Sequence, residues 1–155
     1  MLVSYSNAAI DPEALVKSHF KASKVIKDTI LLTAKNKTSL SEKAQTRFPK
    51  SLYRVIKAVD KKGNVIGYGL IDSHIVRTKT QALLFYYNTN QELQAVELLA
   101  FQEPDEYKPK KAYLEQTVSS DPTIPTGATL TYSSIEKAKK RTKALAEFYI
   151  KAQEP

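Results

Sequence analysis

Residues 52–101 read LYRVIKAVDKKGNVIGYGLIDSHIVRTKTQALLFYYNTNQELQAVELLAF, and this stretch decides the fold. Four segments within it read as strands: Leu52 to Val59, Val65 to Ile75, Ala82 to Tyr87 and Leu93 to Phe101. Asp60-Lys61-Lys62-Gly63-Asn64 is a turn signal between the first two, and Asn88-Thr89-Asn90 is another between the third and fourth. Connections this short imply antiparallel neighbours. Leu83-Leu84-Phe85-Tyr86-Tyr87 lacks alternation, as a central strand covered on both faces does.

The flanking segments are helical or irregular. Asp11-Pro12-Glu13 has the order N-cap, N1 proline and first-turn acid, which predicts a short helix to about Ala22. Val25 to Leu32 is apolar and β-branched, and periodicity leaves strand and helix both open. Lys35 to Lys43 is polar, with helix formers at Ser41 to Gln45, and Phe48-Pro49 punctuates before the sheet. Glu103 to Pro109 is a two-proline loop, Lys110 to Gln116 fits one or two helical turns, and Ser119 to Pro125 is irregular. Ser133 and Glu136 have capping-box spacing, predicting a helix from Ser134 to about Ala152 with Ile135, Ala138, Thr142, Leu145 and Tyr149 on one stripe. The expected fold class is α+β. A twisted antiparallel sheet of about four or five strands packs against a long C-terminal helix, with an N-terminal helical segment beside it.

At 155 residues the chain fits one domain, assigned to 11–155. Residues 1–10 read either as the remnant of a signal peptide, with Ser6 and Ala8 at the small-residue spacing a signal peptidase uses, or as a frayed N-terminus. The first option implies a periplasmic or exported protein. No stretch approaches the roughly 20 apolar residues of a membrane helix. There is no cysteine, which removes disulfides, thiol nucleophiles and protein-ligated iron–sulfur clusters. The only histidines, His19 and His74, are far apart, so no metal site is expected. The balance of 24 basic against 16 acidic residues, net +8, favours anionic partners or a solvated lysine-rich surface.

The chemistry-bearing segment is Thr126-Gly127-Ala128-Thr129-Leu130-Thr131, placed before the last helix. Gly127 lacks a Cβ, so another molecule can approach the backbone. Ala128 adds almost no bulk, and Thr126, Thr129 and Thr131 add hydroxyls. A following helix start supplies unpaired N–H groups and partial positive charge, which together favour a phosphate. An ordinary helix-entry loop has the same composition.

This run resembles the flavinylation motif of the FMN-binding domain family, which includes the C subunit of sodium-pumping NADH:quinone reductase, the G subunit of Rnf and small single-domain periplasmic proteins. Gly67 to Thr78, containing His74-Ile75-Val76-Arg77-Thr78, and Phe101-Gln102-Glu103-Pro104-Asp105-Glu106-Tyr107 are similar to two further segments of one small branch. The three occur in the family's order. The resemblance implies that a flavin transferase joins the phosphate of FMN to Thr129. It further implies that Arg77 pairs with the phosphate or the flavin N1–O2 edge, that His74 hydrogen-bonds the ring or relays a proton, and that Thr78 orients the same site. Glu103-Pro104 would wall the flavin edge and Tyr107 would flank the ring. One position departs from the family: Thr123 stands where an Asp is usual, three before Thr126.

The resemblance implies a redox carrier more than a turnover enzyme, receiving electrons from a partner protein, with a membrane-bound oxidoreductase among the options. No nicotinamide-binding or P-loop motif is present. The alternatives are a flavin-dependent reductase with non-covalent FMN, using His74 as proton donor, and a basic nucleic-acid-binding module using the lysines of the last helix. The second lacks any nucleic-acid motif.

Overall fold

The computed structural model describes residues 10–118 and 129–154. The readings placed on residues 1–9 and on Thr126, Gly127 and Ala128 lie outside them.

Helix α1 (Pro12–Phe20) starts where Asp11 accepts a hydrogen bond from the Glu13 N–H at 3.0 Å, and stops at Lys21, whose φ is 52°. That left-handed stop settles the ambiguity of the next segment. Lys24–Leu31 forms strand β1 and pairs along all its residues with its neighbour. Helix α2 (Ala34–Ala44) is longer than the helix formers at 41–45 predict, because the Thr33 hydroxyl caps it by accepting from the Asn36 N–H at 3.0 Å. Strands β2 (Leu52–Val59), β3 (Val65–Ile75) and β5 (Leu93–Phe101) match their predicted bounds, and β4 (Thr80–Tyr87) begins two residues earlier. A 3-10 turn at Asp105–Tyr107 leads to α3 (Lys111–Gln116) and then α4 (Thr129–Gln153).

The sheet is an antiparallel meander in the order β1-β2-β3-β4-β5. Side-chain carboxylate and amide oxygens build its tight turns. Asp60 Oδ1 accepts from the Lys62 and Asn64 N–H groups, with Gly63 at φ 85°, and Asn88 Oδ1 accepts from the Asn90 and Glu92 N–H groups.

Both faces of β4 are covered, as its apolar run predicts. Leu83, Phe85 and Tyr87 join the core beneath α2, α3 and α4, while Leu84 and Tyr86 join Val16, Ile56 and Ala58 beneath α1. Gly67 and Gly69 permit α1 to lie close on β3, their missing Cβ atoms leaving room for Phe20 and Val16. The predicted stripe of α4 is buried at every position: Ile135, Ala138, Thr142, Leu145 and Tyr149.

The predicted start of that helix needs correction. The chain is already helical at Thr129, so Ser133 sits inside the helix and not at its N-cap. A tertiary partner takes the acid of the capping box. Glu136 accepts from the Tyr113 hydroxyl at 2.8 Å, and the Ser134 hydroxyl donates to the Thr131 carbonyl at 2.6 Å.

Candidate functional site

The end of β3, the segment between α2 and β2, and the first turns of α4 line an open cavity of about 740 Å³. Its wall carries the cations of Arg47, Lys50, Lys137 and Arg141 and the apolar surfaces of Pro49, Ile75, Val76 and Leu130, with His74, Ser133 and Ser134 between them. No carboxylate lies among the described lining residues.

Alternation along β3 turns Asp72 and His74 toward α4, and Arg141 reaches down from α4 to meet them. Asp72 accepts from Arg141 Nε at 2.8 Å and Nη2 at 2.9 Å. It also accepts from His74 Nδ1 at 2.7 Å. Since a carboxylate held by Arg can only accept, Nδ1 carries the ring proton. His74 Nε2 then accepts from the Gln81 amide at 2.8 Å, and the same amide donates to the Ser134 hydroxyl at 3.2 Å. Ser134 passes the chain on to the Thr131 carbonyl. Burial works to raise the Asp72 pKa, but the His74 and Arg141 contacts overcome it and hold the carboxyl below its ordinary value. Asp72 is 1% exposed and Arg141 6%. Asp72 offsets the Arg141 charge, and Arg47, Lys50 and Lys137, which make no ion pair among the described residues, remain to meet an anion. The positive end of the α4 dipole adds to them.

Of the residues singled out in the sequence, the structure brings His74 and Leu130 to this cavity. Thr129 is the exposed first residue of α4, next to Leu130. Thr131 is buried, and its carbonyl ends the hydrogen-bonded chain. Arg77, Thr78, Glu103, Pro104 and Tyr107 form a separate cluster. Glu103 Oε1 accepts from the N–H groups of Arg77, Thr78 and Lys79 at 3.3, 2.8 and 3.0 Å, and the Arg77 guanidinium lies 4.5 Å over the Tyr107 ring. The Thr78 N–H bond, followed by those of Lys79 and Arg77, holds the Glu103 carboxyl below its usual range. Pro104, exposed, precedes the 3-10 turn. This cluster pins the β3–β4 turn, which leaves the cavity wall at Val76. None of the five residues lines the cavity.

Sequence reading missed Asp72, Gln81, Arg141, Arg47, Lys50 and Lys137. A signal existed for two of them. Asp72 lies two residues before His74 on one strand face, and Arg141 falls three after Ala138 and four before Leu145, on the edge of the buried stripe. The cations of the α2–β2 segment carry no such signal.

Compared with known proteins, the chain matches no protein-family model, no curated protein and no solved structure. The site's chemistry therefore rests on its own geometry. The cavity falls within the range of small-molecule and cofactor sites. It pairs an apolar wall with unneutralised cations and has a hydroxyl-bearing residue beside it, and these residues fit a flat aromatic ring joined to a phosphate.

Proposed function

We propose that the chain is an FMN-binding electron-transfer protein that carries its flavin on Thr129. The observation that carries this reading is a cation-lined cavity, with no carboxylate among its described lining residues, beside the first residue of α4. Thr129, next to the cavity-lining Leu130, is exposed. A flavin transferase would break the pyrophosphate of FAD, join the FMN phosphate to the Thr129 oxygen and release AMP. Arg47, Lys50 and Lys137 are placed to hold the phosphate, and Pro49, Val76 and Leu130 to cover the ring and exclude water. A bound flavin supplies the redox chemistry, while the protein sets its surroundings. Electrons would arrive from a partner protein in an exported, periplasmic setting.

Arg77 leaves the role the resemblance gives it, since it stacks on Tyr107 away from the cavity. His74 also has a changed role. With both ring nitrogens engaged by Asp72 and Gln81, it supports the cavity wall and is no free proton donor. Thr123 in place of the usual Asp favours one second reading, in which FMN sits in the same cavity without the covalent bond.

The test is intact mass and visible spectrum of protein exported to a periplasm with a matched flavin transferase, wild type beside Thr129→Ala. A mass gain of FMN minus water, with colour that survives denaturation and is lost in Thr129→Ala, is expected. Unmodified wild type that binds free FMN, and binds it more weakly after Arg47→Gln or Lys137→Gln, selects the non-covalent reading. Unmodified protein that also ignores free FMN overturns both.

A further inference from the structure

The outer face of the sheet, opposite α4, is only half covered. Helix α1 lies over its end nearest the β2–β3 turn, with Phe20 above Gly67 and Val16 above Gly69. Among the described residues no element covers the other end. Leu31 is 70% exposed there, Leu52 51% and Ile75 63%. Leu31 and Leu52 are register partners across β1 and β2, and Arg54 and Ile71 are partners across β2 and β3 one row further in. Lys50, Leu52, Arg54, Ile71 and Ser73 line one shallow concavity of about 460 Å³, with no carboxylate among its lining residues. Clustered exposed aliphatics mark an interaction surface.

We propose that this end of the sheet docks on an anionic membrane surface, with Leu31, Leu52 and Ile75 entering the headgroup–acyl boundary while Lys50 and Arg54 meet lipid phosphates. Charge complementarity selects this occupant. Aliphatic tips interleaved with cations suit an anionic interface, where apolar insertion and electrostatic attraction add. A second copy suits it less, because a two-fold pairing sets the same cations against each other. The net charge of +8 reinforces the attraction. Lys50 and Ser73 also line the cavity described above, so docking would bring the cavity to headgroup level. Leu31, Leu52 and Arg54 lie outside the cavity lining, so that part of the surface stands independently of any flavin.

Sedimentation with phosphatidylcholine vesicles, with and without phosphatidylglycerol, tests this on the full chain at low and high salt. Binding is expected only with phosphatidylglycerol and should fall with salt. Lys50→Gln and Arg54→Gln should each weaken it about fivefold. Leu52→Ser should weaken it about tenfold, as loss of between one and two inserted methylenes at a factor of about four each would give. Two controls separate a docking face from general basicity. Ile26→Ser alters an exposed aliphatic on the opposite face of β1, and Lys61→Gln with Lys62→Gln removes charge at the far end of the sheet. Both should leave binding near wild type. Equal loss in the controls, or no preference for phosphatidylglycerol, overturns the proposal. A monomer–dimer equilibrium abolished by Leu52→Ser, without vesicle binding, assigns the face to a second copy and overturns it too. Thr129→Ala should bind vesicles as wild type does, so failure here leaves the cofactor reading standing, and the reverse.

Discussion

Replacing Asp72 with alanine is expected to destabilise the protein strongly, for reasons that lie on three elements at once. The carboxylate holds the Arg141 guanidinium by two bonds at 2.8 and 2.9 Å and the His74 ring by one at 2.7 Å, and it is 1% exposed. Its loss strands a buried cation on α4 and an unpaired N–H on β3. With charge centres about 4 Å apart and an effective dielectric of about 20, the lost attraction is about 4 kcal/mol, within the roughly 3–5 kcal/mol seen when one partner of a buried pair is removed. Total stability for a domain of this kind is about 5–15 kcal/mol, so the variant should sit near the edge of folding. Urea unfolding followed by far-UV circular dichroism suits a chain without tryptophan. With a slope of about 2 kcal/mol per molar urea, the midpoint should fall by about 2 M. Adding Arg141→Met should recover much of the loss, since an apolar pair can replace a buried ion pair at little cost. A midpoint shift below about 0.5 M for Asp72→Ala, or no recovery in the double variant, would show that the network does not bind α4 to the sheet.

Gly69→Ala should cost about 1–3 kcal/mol, because the new Cβ overlaps Val16 Cγ2 and sits 3.1 Å from Leu84 Cδ1; Val16→Ala should relieve part of that cost in a double-variant unfolding series. Stability should hold from neutral pH down to about pH 4 and fall below it, because Asp72, Asp28 and Glu103 all have carboxyl pKa values lowered in the folded state. A group of that kind stabilises above its unfolded pKa and loses its contribution as pH drops through the folded value. Urea midpoints between pH 3 and 7 would check the curve, which should be flatter in Asp72→Leu/Arg141→Met.

Much of the sheet was legible because its strands are bounded by turns with specific chemistry. Asp60 to Asn64 and Asn88 to Asn90 mark both ends of a hairpin, and the unbroken run Leu83 to Tyr87 between turn signals reads as a strand packed on both sides. The helix start at Thr129 was not legible. Ser133 and Glu136 satisfy a local capping rule, but the Tyr113 hydroxyl takes the Glu136 carboxylate, and Tyr113 lies far away in sequence. The site divided along the same line. Glu103, Arg77 and Tyr107 form a real cluster, but Glu103 spends its acceptor capacity on backbone N–H groups, which no local pattern reveals. His74 and Leu130 were found because they adjoin motifs. The cations Arg47, Lys50 and Lys137 were hidden among the 24 basic residues of the chain, since only the fold decides which of them face one cavity.

Gln81 offers a way to separate holding the fold from placing the site. It is fully buried, and its amide N–H groups tie His74 to Ser134, one turn inside α4 and on the path to the Thr131 carbonyl. Its carbonyl oxygen has no partner among the described residues. Gln81→Met keeps the volume; it strands the buried His74 Nε2 acceptor, which costs about 1–3 kcal/mol, and removes an unpaired buried acceptor, which returns about the same. The two effects oppose each other, so stability should change by no more than about 1 kcal/mol. The tie between β4 and the first turns of α4 is lost all the same. If that tie sets where Thr129 stands relative to the cavity, Gln81→Met should show reduced flavin incorporation, or weaker FMN binding, with an unfolding midpoint close to wild type. Incorporation and midpoint both unchanged would mean that the Asp72–Arg141 pair alone fixes the start of α4. A midpoint falling in step with incorporation would mean that Gln81 serves the fold and the site only through it.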